Sequence, residues 1–280
     1  MFNFDFKKLF IPFARIFQAS AQNTVADGDG VHARDDDVSR QDKVVSCAGM
    51  FNYLSFGKTD GQPDQIIFLL HGYGRSAVFM EKVAEEISKK LPGALIIAPE
   101  GPEELEQIQE DSEFVLRVPV VLRNDDVDQS LRRQWFSIAS ADLTQYQAWM
   151  DEIATALNEF IDEHRDYYGL DDRNIGLMGF SQGGAVAMYT GLSRTTELGA
   201  LVGHSAPFFP QDTALQSKPE TYYIYGDDDE EFPVERYEKM RMALERYLGT
   251  LQTSVVAGLQ HRTSRESRKL VADYFHQKMG

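Results

Sequence analysis

Cysteine is almost missing from this chain: Cys47 is the only one among 280 residues. A lone cysteine closes no internal disulfide and supplies no multi-thiolate metal site. Basic residues are also scarce. Lys and Arg total 28 against 44 Asp and Glu, a net charge of −16. That balance lacks the basic footprint of a nucleic-acid binder. It also repels anionic lipid headgroups, except where basic residues cluster. Uninterrupted apolar runs of about 18 residues, the length a spanning helix needs, are absent too. What remains is a chain that is 42% hydrophobic, enough for one substantial buried core and most simply one domain.

The first 20 residues differ from the rest. Phe2, Phe6, Leu9, Phe10, Phe13 and Phe17 recur at helical spacing, and Lys7, Lys8 and Arg15 give the stretch a local positive balance. One reading is an amphipathic helix, with residues 1–17 in peripheral contact with a membrane or a partner's groove. Another is an export signal ending at Ala19-Ser20-Ala21, although Arg15 breaks its apolar core and Asp5 sits in its leading region. A third is a helix docked on the protein's own surface. Pro12 kinks or shortens any of these. The lone cysteine favours a cytoplasmic chain, with export or membrane association through this segment as the alternatives. Residues 21–42 read as a disordered linker, rich in Asp and Gly and poor in apolar residues. Its Asp-Gly pattern is too short for a calcium loop.

From residue 43 to 280 short apolar runs alternate with helical stripes. Ile66 to Leu70, Ala94 to Ile97, Ile175 to Met178, Leu198 to Val202, Tyr222 to Tyr225 and Thr253 to Val256 read as buried strands. Between them, Phe79, Val83 and Ile87 form one helical stripe, and Trp149, Ile153, Leu157 and Ile161 another within about 144–168. Segments 234–248 and 264–277 add two more helices. The alternation predicts an α/β fold, a mostly parallel sheet with helices on both faces. Functional groups in such sheets gather at the carboxyl ends of the strands.

One such end carries a chemical signature. Gly179-Phe180-Ser181-Gln182-Gly183 matches G-x-S-x-G, directly after the apolar run Ile175 to Met178. A nucleophilic serine on a sharp strand-to-helix turn exposes its hydroxyl, and flanking glycines remove side chains that would collide there. The following helix aims its N-terminus at developing negative charge. The bland alternative is a glycine-rich turn with an idle serine.

The partners follow from chain order, which in this arrangement runs nucleophile, acid, histidine. Of the six histidines, His261 and His276 come after every plausible acid. His276 falls in the last helix, whereas His261 follows the final strand and the turn at Gly258. His204 ends a strand but comes too early, and reads as a hydrogen-bonded structural histidine. His164 sits near the apolar stripe of the long helix, and His32 lies in the linker. The acid must follow the Tyr222 to Tyr225 strand, within Asp227-Asp228-Asp229-Glu230-Glu231. Position alone does not choose among these, and most belong to a solvated acidic turn. Two oxyanion donors are also needed. One is the backbone N–H of Gln182, and the other, from the loop Leu70-His71-Gly72-Tyr73-Gly74, is the N–H of Tyr73.

With these blocks in place the chain resembles the phospholipase/carboxylesterase family of α/β-hydrolases, which includes the acyl-protein thioesterases. The resemblance runs from about 64 to 275. It is carried by Phe68 to Gly74, Ala98-Pro99-Glu100, Arg133-Gln134-Trp135-Phe136, Gly179 to Gly184, Gly226 to Asp229 with Pro233, and Gly258-Leu259-Gln260-His261. It implies an α/β-hydrolase fold, cleavage of ester or thioester bonds in a small-molecule or acylated substrate, and no metal or organic cofactor. A lipid-cleaving, membrane-recruited enzyme and a non-catalytic binding protein are the rival readings. The family pattern puts the acid four residues before the proline, at Asp229, supports Tyr73 and Gln182 as oxyanion donors, and sets Trp135 near the substrate. Three departures stand out. The acid block begins Tyr225-Gly226 instead of His-Gly. Glu231 and Phe232 occupy positions that are usually small and apolar. An insertion at about 104–131 lengthens the stretch before Arg133. Within it, Phe114, Leu116, Val118, Val120 and Leu122 alternate like a strand, and Pro119 suggests an edge. This predicts either a flap over an acyl groove or an inert surface addition.

Overall fold

A computed structural model of the chain describes residues 51–105, 132–137, 143–208, 210 and 215–280. The amphipathic segment 1–20, the linker 21–42 and all of the insertion beyond residue 105 lie outside the described residues.

The strands are β1 (Tyr53–Gly57), β2 (Gln65–Leu70), β3 (Ala94–Pro99), β6 (Ile175–Phe180), β7 (Ala200–His204), β8 (Thr221–Gly226) and β9 (Gln252–Val256), in one sheet. A separate two-stranded ribbon joins β4 (Glu103–Glu104) to β5 (Arg133–Gln134). The helices are α1 (Glu81–Lys90), α2 (Leu143–Tyr167), α3 (Ser181–Ser193), α4 (Val234–Leu248) and α5 (Arg265–Met279). The main sheet has the order β1-β3-β2-β6-β7-β8-β9. Only β1 runs antiparallel, along β3, and every other pairing in this sheet is parallel.

The apolar runs form strands because both faces of the sheet are covered. In β2, Ile66, Phe68 and Leu70 point to one core with α2, α3 and α4, while Ile67 and Leu69 point to a second core with α1 and α5. The same alternation splits β8, with Tyr223 and Tyr225 on the first face and Tyr222 and Ile224 on the second. Each fully buried side chain of this size contributes about 1.5–3 kcal/mol. His164 is part of the first core, where its Nδ1 meets the Phe160 carbonyl at 2.8 Å. The expected fold class, a mostly parallel sheet between helical layers, is what the chain adopts.

Parallel pairing sets the carboxyl ends of β2, β6, β7, β8 and β9 at one edge of the sheet. The β4–β5 ribbon joins them there. Arg133 N–H donates to the Arg75 carbonyl (3.0 Å) and Gly74 N–H to the Arg133 carbonyl (2.9 Å), so the ribbon is pinned to the loop after β2.

Candidate active site

Ser181 is the first residue of α3, directly after β6. Its φ of +52° is one of two positive values among described non-glycine residues. A side chain in this left-handed region is strained, and the fold holds it there because the chain turns from strand to helix within one residue. The turn is crowded. A Cβ on Gly183 would stand 2.2 Å from the His71 carbonyl oxygen, so only glycine allows the first turn of α3 to lie against the end of β2.

Three side chains converge on this point. His261 Nε2 lies 2.8 Å from Ser181 Oγ, and His261 Nδ1 lies 2.7 Å from Asp229 Oδ2. An ionised carboxylate only accepts, so Nδ1 carries the proton and Nε2 is free to take one from the serine. Asp229 is 7% exposed. Its Oδ1 accepts the N–H groups of Glu231 (2.9 Å) and Phe232 (3.0 Å), and its Oδ2 also accepts the Tyr237 hydroxyl at 2.7 Å. Burial alone would push this carboxyl up. The hydrogen bond and charge of His261, then Tyr237 and Phe232, outweigh burial and hold it below the usual carboxylate range. Asp227 points elsewhere. Its Oδ1 accepts the Gly258 N–H at 2.6 Å and ties down the turn that leads to His261. The geometry therefore turns Asp229, and not Asp227, toward the histidine.

The oxyanion side is assembled from more distant parts. A Cβ on Gly72 would come within 3.4 Å of Ser181 Cβ, so the loop carrying Tyr73 runs alongside the serine. Gln182 stands in the first turn of α3, where backbone N–H groups have no acceptor inside the helix. The Gln182 side chain, wholly buried, clasps the 132–137 segment. Its Oε1 accepts the Trp135 N–H (3.0 Å) and its Nε2 donates to the Phe136 carbonyl (2.8 Å).

Trp135, expected near the substrate, is 1% exposed, and its indole N–H donates to the His71 carbonyl at 2.8 Å. Its contacts make it a brace of the Tyr73 loop. His71 adds a second brace. Its Nε2 accepts the Gly101 N–H (2.9 Å), so its proton sits on Nδ1 and reaches the Gly72 carbonyl (2.8 Å). Burial, joined by the charge of Arg133, pushes His71 down to about 4, which keeps it neutral and able to accept. Burial pushes the Tyr73 phenol up to about 12.

His204 also lies here, at the end of β7, with its ring 5.4 Å from that of Phe180. Burial and then the charge of His261 push it down to about 3, and its Nδ1 meets Ser205 Oγ at 3.2 Å. It touches no triad atom through a hydrogen bond. Among the described residues, no group of three or more His, Cys, Asp or Glu side chains is arranged to hold a metal ion. Sequence reasoning missed the Gln182 clasp, the Trp135–His71 brace and Tyr237. The first two sit inside quoted motifs, but nothing in a motif says where a side chain points.

A serine on a strained strand-to-helix turn, bonded to a histidine that is bonded to a buried aspartate, is the arrangement that serine-dependent α/β-hydrolases use for nucleophile, base and orienting acid. Residues 119–278 match the phospholipase/carboxylesterase family, more than half of the chain, and the chain belongs to that family. Acyl-protein thioesterase 1 of Yarrowia lipolytica (strain CLIB 122 / E 150) is 31% identical over 144 residues, which is 50% of this chain and 55% of that protein. The match thus spans about half the length of that curated relative. Among solved structures, esterase PE8 superposes with a TM-score of 0.67 at 19% identity, covering 82% of this chain and 100% of that one. SOBER1 of Arabidopsis thaliana gives 0.57 at 20%, covering 77% and 99%. The carboxylesterase of Bacillus cereus gives 0.58 at 17%, covering 82% and 96%. At these identities the likeness concerns the fold.

Proposed function

We propose that this chain hydrolyses carboxylic esters or thioesters through a covalent acyl-enzyme on Ser181. The observation that carries the reading is the unbroken line from Ser181 Oγ to His261 Nε2 (2.8 Å) and from His261 Nδ1 to Asp229 Oδ2 (2.7 Å). Family membership and a relative named as an acyl-protein thioesterase support the bond type.

The chemistry follows from the atoms. His261 Nε2 takes the Ser181 proton as Oγ attacks the carbonyl carbon. The carbonyl oxygen becomes an oxyanion, held by the N–H groups of Gln182 and Tyr73. As the tetrahedral species collapses, His261 returns the proton to the leaving alcohol or thiol, and the acyl group stays on Ser181. A water then loses its proton to Nε2, attacks the acyl carbon, and releases the acid with the serine restored. Asp229, ionised throughout, keeps Nδ1 protonated and offsets the imidazolium charge.

The test is covalent labelling with a fluorophosphonate probe, followed by peptide mapping and turnover of p-nitrophenyl esters and acyl-thioesters. Wild type is expected to label at Ser181, and Ser181→Ala to lose both label and turnover. Labelling that persists at another residue of Ser181→Ala removes the assignment.

A further inference from the structure

We propose that Tyr237 is a positioning residue of the triad, its buried phenol fixing the Asp229 oxygen that receives His261. The proposal rests on the reading of Ser181 as the nucleophile.

Tyr237 occupies the first turn of α4 and is wholly buried. Its ring is stacked on Tyr225 at 4.8 Å between centroids and tilted against Phe232 at 5.9 Å. Those two neighbours belong to β8 and to the acid turn, so the ring is gripped by the elements that carry Asp229. Its hydroxyl has two acceptors in reach, Asp229 Oδ2 at 2.7 Å and the Ser205 carbonyl at 3.4 Å. A phenol has one proton, and the short contact to a charged oxygen wins. Oδ2 is also the atom that receives His261 Nδ1 at 2.7 Å.

The four donors on Asp229 divide into two pairs. Backbone N–H groups of Glu231 and Phe232 fix Oδ1, which leaves rotation of the carboxyl plane and the charge on Oδ2 to be set. Tyr237 sets both. It draws Oδ2 into one direction, and it disperses part of the charge that would otherwise hold the imidazole proton more tightly. The titratable groups around this carboxylate are His261 from the loop after β9, His204 from the end of β7, Tyr223 from β8, Glu231 from the acid turn and Tyr237 itself. Tyr237 is the one of the two tyrosines whose hydroxyl touches Asp229, because the Tyr223 hydroxyl donates to the Ala206 carbonyl at 2.6 Å. Burial, followed by the charge of Asp229, keeps the Tyr237 phenol far above its ordinary range, so it remains a donor at every working pH.

A structural tyrosine that merely needed an acceptor would affect stability alone. The discriminating readout is the second-order rate of Ser181 phosphonylation by a fluorophosphonate, followed across pH. Tyr237→Phe keeps the ring packing, and is expected to slow labelling about tenfold and to move the acid limb of the profile to higher pH. In an Asp229→Asn background the same change is expected to alter the rate less than about twofold, since the carboxylate through which the phenol acts is gone. Replacing Tyr237 by 3-fluorotyrosine retains ring and hydroxyl but makes a stronger donor, and is expected to move the limb to lower pH. A folded Tyr237→Phe with wild-type rate and profile, an unchanged limb in the fluorotyrosine variant, or an equal loss in both backgrounds overturns the proposal. Wild type that fails to label at Ser181 overturns the nucleophile reading as well, and so separates the two failures.

Discussion

The Asp229 turn and the Tyr73 loop both lead to Ser181 and are secured in opposite ways. The partners of Asp229 on its own stretch of chain, Glu231, Phe232 and Tyr237, lie 2, 3 and 8 residues away. The loop carrying Tyr73 is secured from afar: Gly101 reaches His71 across 30 residues, and the Trp135 indole reaches its carbonyl across 64. The acid side is a local structure that one turn and the start of α4 build almost unaided. The oxyanion side depends on the ribbon β4–β5, whose two strands bracket the insertion. One side is therefore sensitive to single side chains, and the other to how the ends of the insertion are held.

The largest expected difference within the acid turn lies between its two aspartates, Asp229 and Asp227. Asp229→Ala removes the acceptor that fixes the His261 tautomer, and turnover of a p-nitrophenyl ester is expected to fall about 10⁴-fold. Asp227→Ala removes a partner of the Gly258 N–H in an exposed turn, and a loss of less than about threefold is expected. Comparable losses in the two variants would mean that the acid side is not organised around Asp229.

A smaller effect tests the oxyanion side. Trp135→Phe keeps most of the ring's packing but leaves the His71 carbonyl without the indole N–H. As a brace, Trp135 acts through the placement of Tyr73, so kcat is expected to fall about tenfold with KM nearly unchanged. That is short of the about 10²–10³ lost with a whole oxyanion donor. A substrate contact predicts the reverse pattern, a rise in KM that varies with acyl length. Kinetics on a short and a long p-nitrophenyl ester separate the two.

The same contrast governs what the sequence revealed. The sheet was legible because strands covered on both faces read as continuous apolar runs, as in Ile66 to Leu70. Ser181 was legible because strain at a strand-to-helix turn demands glycines at fixed spacing, and His261 because chain order leaves few candidates. The choice between Asp227 and Asp229 was not written in the acidic run. It depends on the backbone turn that sends Asp227 out to Gly258 and Asp229 inward, and only the family resemblance pointed to it. Trp135 was expected at the substrate because a motif gives proximity and not direction. Tyr237 carried no signal, since a tyrosine in the first turn of a helix ordinarily packs.

The smallest expected effect concerns Glu231, two residues from Asp229 yet its opposite. Both carboxylate oxygens of Asp229 are bonded, whereas Glu231 Oε2 is buried with no hydrogen-bond partner among the described residues. Burial pushes the Glu231 carboxyl up, with Asp229 and Glu230 adding to the rise and the charge of His261 opposing it. A carboxyl raised in the folded state binds its proton more tightly there than in the unfolded chain. Its ionised form therefore costs stability, and the cost grows as pH rises from the ordinary carboxyl range through the folded value. Glu231→Gln is neutral at every pH and removes that cost. It is expected to melt about 2 °C above wild type at pH 7, with the advantage shrinking toward pH 4, where both chains carry a neutral side chain. A lower melting temperature at pH 7 would mean that the anion is stabilised in the fold, and the acid side would then hold two supported carboxylates instead of one.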